Sequence, residues 1–501
     1  MKKNLLIFSS IIASALSITA QTRYLDEVFT TVNVTKNVVY STNKIYWPSV
    51  PTGQYIPKGD LKLDLYQPAG DTLGKRPLVI ILHSGSFLPQ PTNGSVTGSR
   101  NDSVIVETAK RFARRGFVAA AISYRVGWNP FGGDDERTAT LLKAVYRGLQ
   151  DSKNAVRFFK KDASTDRTYK IDPCRIAVMG YGSGGYLALA YGTLDKYAEI
   201  TLPKFLDGAT AEPYVNTAEM GDFNGLGGDT AYVMPNWPEY DNDVSMIINA
   251  GGALGDSTWL EAGDVPMVCF HVPGDPYAPF TFGTVIVPTT GGTVVDVSGS
   301  HDIIRRCNNP AFGNNNVAFQ SPAFTDIYTQ RANLHNDGYE GLNAFYTAYA
   351  AQASPWDWWD DATARQMWSS PTVNSALVDN PDMSKAKATA YIDTIFGYAI
   401  PRLVRANNLI TNCTTSINEV VKTESTIFPN PANDKVSAKA VSKNAIINEI
   451  TIIDSKGVLV KKITSINAVD YSVNISDLAI GLYAMHIKTN KGNSIQKLIV
   501  E

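Results

Sequence analysis

Histidine and cysteine are scarce in this chain: of its 501 residues, five are histidine and four are cysteine. Four cysteines allow at most two disulfides, so an apolar core rather than cross-linking has to hold the fold. Cys174 and Cys269 fall at or in core-like strands, where a free buried thiol is expected. Cys307 and Cys413 fall in surface-like or terminal segments and make the better pair for a bridge. No CxxC pair or histidine-rich tract offers ligands for a structural metal, and no cofactor is expected. Asp222-Phe-Asn-Gly with Asp229 lacks the spacing and closing Glu of a calcium loop and reads as a turn. An excess of one charge is lacking too, since 45 Lys and Arg stand against 47 Asp and Glu. That balance gives no broad basic field, so neither nucleic acid nor anionic lipid is expected as a partner held by charge.

Long apolar runs are confined to the start. Met1-Lys2-Lys3 precedes an apolar stretch from Leu5 to Ala20 that ends in small residues, the pattern of a secretory signal cleaved near Ala20–Gln21. Ser9, Ser10, Ser14 and Ser17 interrupt the stretch, and it is short for a membrane span. No later segment reaches spanning length, so export without a stable membrane anchor is expected. The remaining length is too great for one ordinary core and predicts at least two folded units.

The texture changes near residue 413. Before it, strands alternate with helices, which predicts an α/β fold: a mostly parallel central sheet with helices on both faces. Leu61 to Tyr66 alternates like a half-exposed antiparallel strand. Pro77 to His83, Phe117 to Tyr124, Arg175 to Met179, Met246 to Ala250 and Met267 to His271 read as buried strands. Val145, Leu149, Ser152, Val156 and Phe159 recur at helical spacing, with Arg147, Lys153 and Arg157 on the polar face of that helix. Ile392 to Arg402 reads as the closing helix. Two aromatic-rich insertions, 194–245 and 340–385, read as lids; the second contains Pro355-Trp-Asp-Trp-Trp-Asp-Asp361 and Trp368. The whole α/β unit is expected over 21–412, with a polar linker over 413–424.

Residues 425–501 read as short strands with turns between them, a small all-β sandwich. The phrases "FPNPANDKV", "IIDSKGVLVKK", "GLYAMHIKT" and the closing "KLIVE", occurring in that order, resemble the C-terminal sorting domain of the type IX secretion system of Bacteroidetes. The resemblance implies export across the outer membrane, with the secretion machinery as a partner and the cell surface or medium as the destination.

Three loops of the α/β unit carry chemistry. His83-Ser-Gly-Ser-Phe87 follows a core strand, and its small residues let backbone N–H groups turn toward a developing oxyanion. Gly180-Tyr-Gly-Ser-Gly-Gly185 makes a sharp turn from strand to helix. His271-Val-Pro-Gly-Asp-Pro-Tyr-Ala-Pro-Phe280 follows a later strand. Together the three resemble the α/β-hydrolase superfamily, in particular bacterial carboxylesterases and feruloyl esterases, whose elbow reads Arg-Ile-Ala-Val-Met-Gly-Phe-Ser-Ala-Gly-Gly. The resemblance implies a secreted carboxylic ester hydrolase that works by acyl transfer through a Ser-His-Asp triad. Its substrate would be a small-molecule or polysaccharide-linked ester.

The match departs at two points. Laid without a gap on the esterase elbow, Gly182 stands where the serine belongs. Either Ser183 is the nucleophile in a shifted elbow, or the nucleophile is lost and the domain is a binding protein on a hydrolase scaffold. Asp275 matches the triad acid. A base downstream of it can only be His335 or, as the alternative, His301, since His83 and His271 sit in upstream loop motifs and His486 in the terminal unit. The family's histidine follows a glycine, whereas Tyr339 follows Gly338 here. With Ser183 attacking, the oxyanion donors would be the N–H groups of Gly184 and of Ser84 or Gly85.

Overall fold

The computed structural model describes residues 22–47, 54–90, 92–287, 291–360, 362, 364, 380–409, 425–441, 445–454 and 459–501. The signal segment, the linker, Trp368 and Cys413 lie outside them. The chain divides into a unit up to Ile410 and a unit from Thr411 onward.

The first unit is built on eight strands: β1 (Val32–Trp47), β2 (Gln54–Pro68), β3 (Arg76–Leu82), β4 (Val118–Ile122), β5 (Ile171–Tyr181), β6 (Met246–Ala250), β7 (Met267–His271) and, after a separate hairpin β8 (Phe282–Ile286) and β9 (Thr293–Ser298), β10 (Leu342–Ala344). They lie in the order β1-β2-β4-β3-β5-β6-β7-β10. β1, β2 and β4 pair antiparallel, and every pairing from β4 through β3 to β10 is parallel. The longer helices are α1 (Ser103–Arg114), α2 (Asp134–Ser164), α3 (Ser183–Tyr191) and, past the single turn α4 (Thr217–Met220), α5 (Ser300–Cys307). Two short helices, α6 (Val317–Gln320) and α7 (Ile327–Ala332), precede the closing α8 (Lys385–Ala406).

Strand alternation decides which face each side chain joins. Leu78, Ile80 and Leu82 of β3 pack with Ile176 and Val178 of β5 against Leu149, Val156 and Phe159 of α2 and Leu187 of α3. Val79 and Ile81, one residue out of phase, join Ala177 and Met179 on the opposite face with Phe112 of α1 and Ile395 of α8. Both faces are covered, which is why the central strands read as unbroken apolar runs rather than alternating ones.

Three expectations need correction. Arg147, Lys153 and Arg157 are buried at 2%, 5% and 1% exposure, because the 194–245 insertion lies over that side of α2. Arg157 there donates to the Asn236 and Asn224 carbonyls, while Arg147 donates to the Gly127 carbonyl at 2.6 Å. Next to them Arg125 and Asp151 form a buried ion pair at 3.0 Å. Second, Asp64 and Tyr66 of β2 are buried as well as Leu63 and Leu65, because Asp64 is capped by the Asn37 N–H at 2.9 Å and by Arg100. Third, Cys269 is buried and free as expected, but two other cysteines change places. Cys174 is exposed, whereas Cys307 is buried and free on the inner face of α5. Asp222 accepts from the N–H groups of Asn224 and Leu226 at 2.8 and 2.9 Å, the geometry of a turn.

The second unit has a three-stranded sheet, β11 (Ser425–Phe428), β12 (Lys435–Ala440) and β15 (Asp470–Asn474), in the order β11-β12-β15. Its other sheet runs β14 (Leu459–Ala468), β13 (Ile447–Asp454), β16 (Gly481–Thr489), β17 (Gly492–Val500). Val436 and Val473 from one sheet share a core with Ile450, Ile452, Met485 and Leu498 from the other. This is a sandwich of antiparallel sheets.

Candidate active site

β5 ends at Tyr181 and α3 begins at Ser183, leaving Gly182 alone to reverse the chain. Its backbone sits at φ 52° and ψ −118°, a conformation in which only glycine is unstrained. Close packing follows around it. A Cβ on Gly180 would fall 1.9 Å from the Gly184 carbonyl oxygen, and one on Gly184 would fall 2.3 Å from the Leu82 carbonyl oxygen. The small residues that a strained elbow needs two before and two after its apex are therefore Gly180 and Gly184, and the apex is Gly182. Tyr181 could not fill such a slot: it points into the opposite face, its hydroxyl 2.8 Å from Thr108 Oγ1.

The apex carries no side chain, and its place is taken from another loop. A Cβ on Gly182 would lie 2.3 Å from Ser84 Oγ. Ser84 belongs to the tight loop after β3, where Gly85, Ser86 and Phe87 have φ of 122°, 53° and 55°. Trp128 Nε1 donates to the Ser86 carbonyl at 2.8 Å and Tyr124 donates to the His83 carbonyl at 2.7 Å, fixing the loop. Ser183 is the first residue of α3 and is 7% exposed, its Oγ 3.4 Å from the Tyr124 hydroxyl. The first N–H groups of α3, those of Ser183 and Gly184, have no acceptor within the helix and carry the positive end of its dipole.

Asp275 stands in the loop after β7. Its Oδ1 accepts the N–H groups of Tyr277 at 2.8 Å and Ala278 at 3.1 Å. Ser84, Gly85, Ser183 and Asp275 line one cavity, so the structure brings these four together. Gly184 is not on its lining but packs on β3.

The histidines are elsewhere. None stands among the described residues that line the cavity. His335 is exposed, its ring 4.8 Å from that of Tyr346. It also precedes β10 instead of following the last strand, which corrects the loop placement on which its role as base depended. His301 is the second residue of α5, with Nε2 3.0 Å from Asp337 Oδ2 and its ring between Phe280 and Tyr339. His83 and His271 are buried, and burial pushes each down to about 4. His271 Nε2 faces the Ala278 carbonyl at 2.8 Å, so it carries the proton, and Nδ1 accepts from the Ser300 hydroxyl at 2.8 Å. His83 Nδ1 likewise donates to the Ser84 carbonyl. Both are structural.

The position beyond the last strand is filled by aromatic and acidic residues. The expected insertion 340–385 contains β10 itself, so the true insertion starts after Ala344. Trp356 is 1% exposed; its ring lies 5.9 Å from that of Tyr181 and 3.2 Å from where a Cβ of Gly251 would be. Asp357, Trp359 and Ser354 join the cavity lining beside it. Burial, reinforced by the charge of Asp102, pushes the Asp357 carboxyl up to about 8. It is therefore mostly protonated at neutral pH.

The rest of the lining is apolar: Phe205 from the 194–245 insertion, Trp128, and Val285, Val287, Val294 and Val297 from the β8–β9 hairpin. Sequence reading missed this hairpin. Alternating valines on either side of Pro288-Thr-Thr-Gly-Gly292 were the available signal.

Sheet order, elbow and the loops after β3 and β7 define an α/β-hydrolase. Residues 63–223 match the BD-FAE family and residues 426–501 match the secretion system C-terminal sorting domain. The matched part of the first unit is thus esterase-like on an α/β-hydrolase fold, and the C-terminal sorting domain indicates export by type IX secretion to the cell surface or beyond. No curated protein matches the chain. Among solved structures it is similar to Thermogutta terrifontis esterase 2 phosphorylated by paraoxon, at 20% identity over 52% of this chain and 77% of that one, with a TM-score of 0.29. The same esterase phosphonylated by sarin matches at 19% identity over 52% and 78%, with a TM-score of 0.30.

Proposed function

We propose that the exported α/β unit is a binding module of the esterase class. It holds an apolar carboxylic ester, or the corresponding acid, with the polar end at the elbow and the apolar body against the β8–β9 hairpin. The observation that carries this reading is Gly182 at the apex. Acyl transfer needs a hydroxyl or thiol there and a base within hydrogen-bond reach of it. Glycine supplies no nucleophile, and the lining supplies no imidazole. Recognition asks for less. The N–H groups that open α3, the Ser84 hydroxyl and a mostly apolar wall suffice to orient a carbonyl.

A second reading keeps catalysis: Ser183 attacks, Asp275 orients His335, and the N–H groups of Gly184 and of Ser84 or Gly85 hold the oxyanion. It is favoured by the shared cavity of Ser183 and Asp275. It requires His335 to leave its contact with Tyr346 and enter the cavity.

Hydrolysis of 4-nitrophenyl acetate and butyrate by the full chain, with binding of the non-hydrolysed acids in parallel, separates the two. The binding reading expects saturable binding of butyrate and ester cleavage no faster than buffer. Turnover that Ser183→Ala and His335→Ala both abolish would sink it in favour of the triad.

A further inference from the structure

The loop beyond β10 brings two polar side chains to the cavity that have no hydrogen-bond partner among the described residues. Trp359 Nε1 is buried and has no hydrogen-bond partner among the described residues. Asp357 is 8% exposed, lines the same cavity and makes no side-chain hydrogen bond among the described residues. Neither results from a loose loop. The Asp357 N–H donates to the Ser354 carbonyl at 3.0 Å, and Asn380 Nδ2 donates to the carbonyls of Ser354 and Asp357 at 3.1 and 3.0 Å. Asn380 is itself held by Gln352 at 2.6 Å and by Lys387. The backbone is pinned while the two side chains have no hydrogen-bond partner among the described residues. Buried donors in folded proteins nearly always find an acceptor, and the unpaired Trp359 N–H belongs to a residue that lines the cavity beside Asp357.

We propose that Trp359 and Asp357 form the second half of the polar recognition site. Ser84 and the start of α3 take one oxygen of the ligand's ester or carboxyl group, and the Trp359 N–H and the Asp357 carboxyl proton take the other. The assignment rests on the reading of this cavity as an acyl-group site. Trp356 bridges the two halves, since it touches both Tyr181, the residue before the elbow apex, and Gly251.

The groups that bear on the Asp357 charge are Asp102 from the start of α1 and the Tyr181 hydroxyl from the end of β5. Asp275 lines the cavity as well. Lys387 of α8 is directed to Asn380 and Asp382. Among the described residues no cation pairs with Asp357, and burial holds its carboxyl up to about 8. Loss of its proton would remove a donor and set a negative charge against a bound carboxylate.

The test uses the full chain and three probes with the same apolar body: 4-phenylbutyric acid, its methyl ester, and butylbenzene. Trp359→Phe keeps the ring and removes the donor. It is expected to weaken the acid and the ester about tenfold and to leave butylbenzene unchanged. Wild-type affinity for the acid is expected to fall about tenfold from pH 7 to pH 9, and Asp357→Asn to flatten that profile. Unfolding midpoints of both variants check that the fold is intact. If Trp359→Phe binds the acid and ester as wild type does, the assignment is overturned while the cavity reading stands. If no probe binds the wild-type chain, the cavity reading fails and this assignment falls with it.

Discussion

The elbow and the loop beyond β10 meet at one cavity and are built in opposite ways. The elbow is all backbone: Gly180, Gly182 and Gly184 make the strained turn, and its apex carries no side chain. Beyond β10 side chains dominate: Asp357 and Trp359 line the cavity and Trp356 packs on Tyr181. The difference teaches that the turn is a requirement of folding as much as of catalysis. Strand β5 can feed α3 only through it, whereas a loop at the end of the sheet is free to change.

The comparison can be broken most forcefully at Gly180. Gly180→Val would set a side chain against the Gly184 carbonyl oxygen, where a Cβ already falls at 1.9 Å. Neither backbone can yield, so soluble folded protein should be lost, as measured by expression and circular dichroism. Trp356→Ala tests the other region. Removing a buried indole should cost about 3–5 kcal/mol, read from denaturant unfolding; a loss under about 1 kcal/mol would mean the loop is not part of the core.

Gly182→Ser sharpens the comparison directly. The φ 52° backbone should cost about 1–3 kcal/mol with a side chain present, and the new Cβ would meet Ser84 Oγ. Adding Ser84→Gly should recover part of that loss. If the double variant is no more stable than the single one, Ser84 does not occupy the vacated nucleophile position.

The smallest effect is electrostatic. The Asp357 carboxyl is raised from 3.8 to about 8 in the folded chain. Between those values the folded state keeps a proton that the unfolded state has released, so stability should fall as pH rises through that window and level off above it. Asp357→Asn should flatten the decline in melting temperature between pH 5 and 8. The buried, neutral His83 and His271 act in the opposite sense. Each is lowered from 6.5 to about 4, so stability should fall as pH drops through that range, in wild type and variant alike.

The legible parts of this molecule were those written in contiguous residues. Runs such as Pro77 to His83 announced buried strands because both faces of the sheet are covered, and the order of the loops announced the fold. Arg147, Lys153 and Arg157 misled, since periodicity shows a polar stripe but cannot show that a distant insertion will cover it. The placement of the His335 loop after the last strand misled for a related reason: three residues, Leu342 to Ala344, are too short a strand to stand out as a pattern.

The sequence by itself determined the two units, the export signals, the parallel sheet, the glycine-rich turn before α3 and an aspartate in the loop after β7. These follow from local geometry and from side-chain alternation along single segments. Only the tertiary structure decided between the two elbow registers, because φ at Gly182 and the approach of Gly180 to Gly184 are properties of the packed turn. Only it brought Ser84, Ser183, Asp275, Asp357 and Trp359 to one cavity and kept the histidines off its described lining. Residues 84 and 359 share no local pattern, and what joins them is the order in which the sheet stacks its strands.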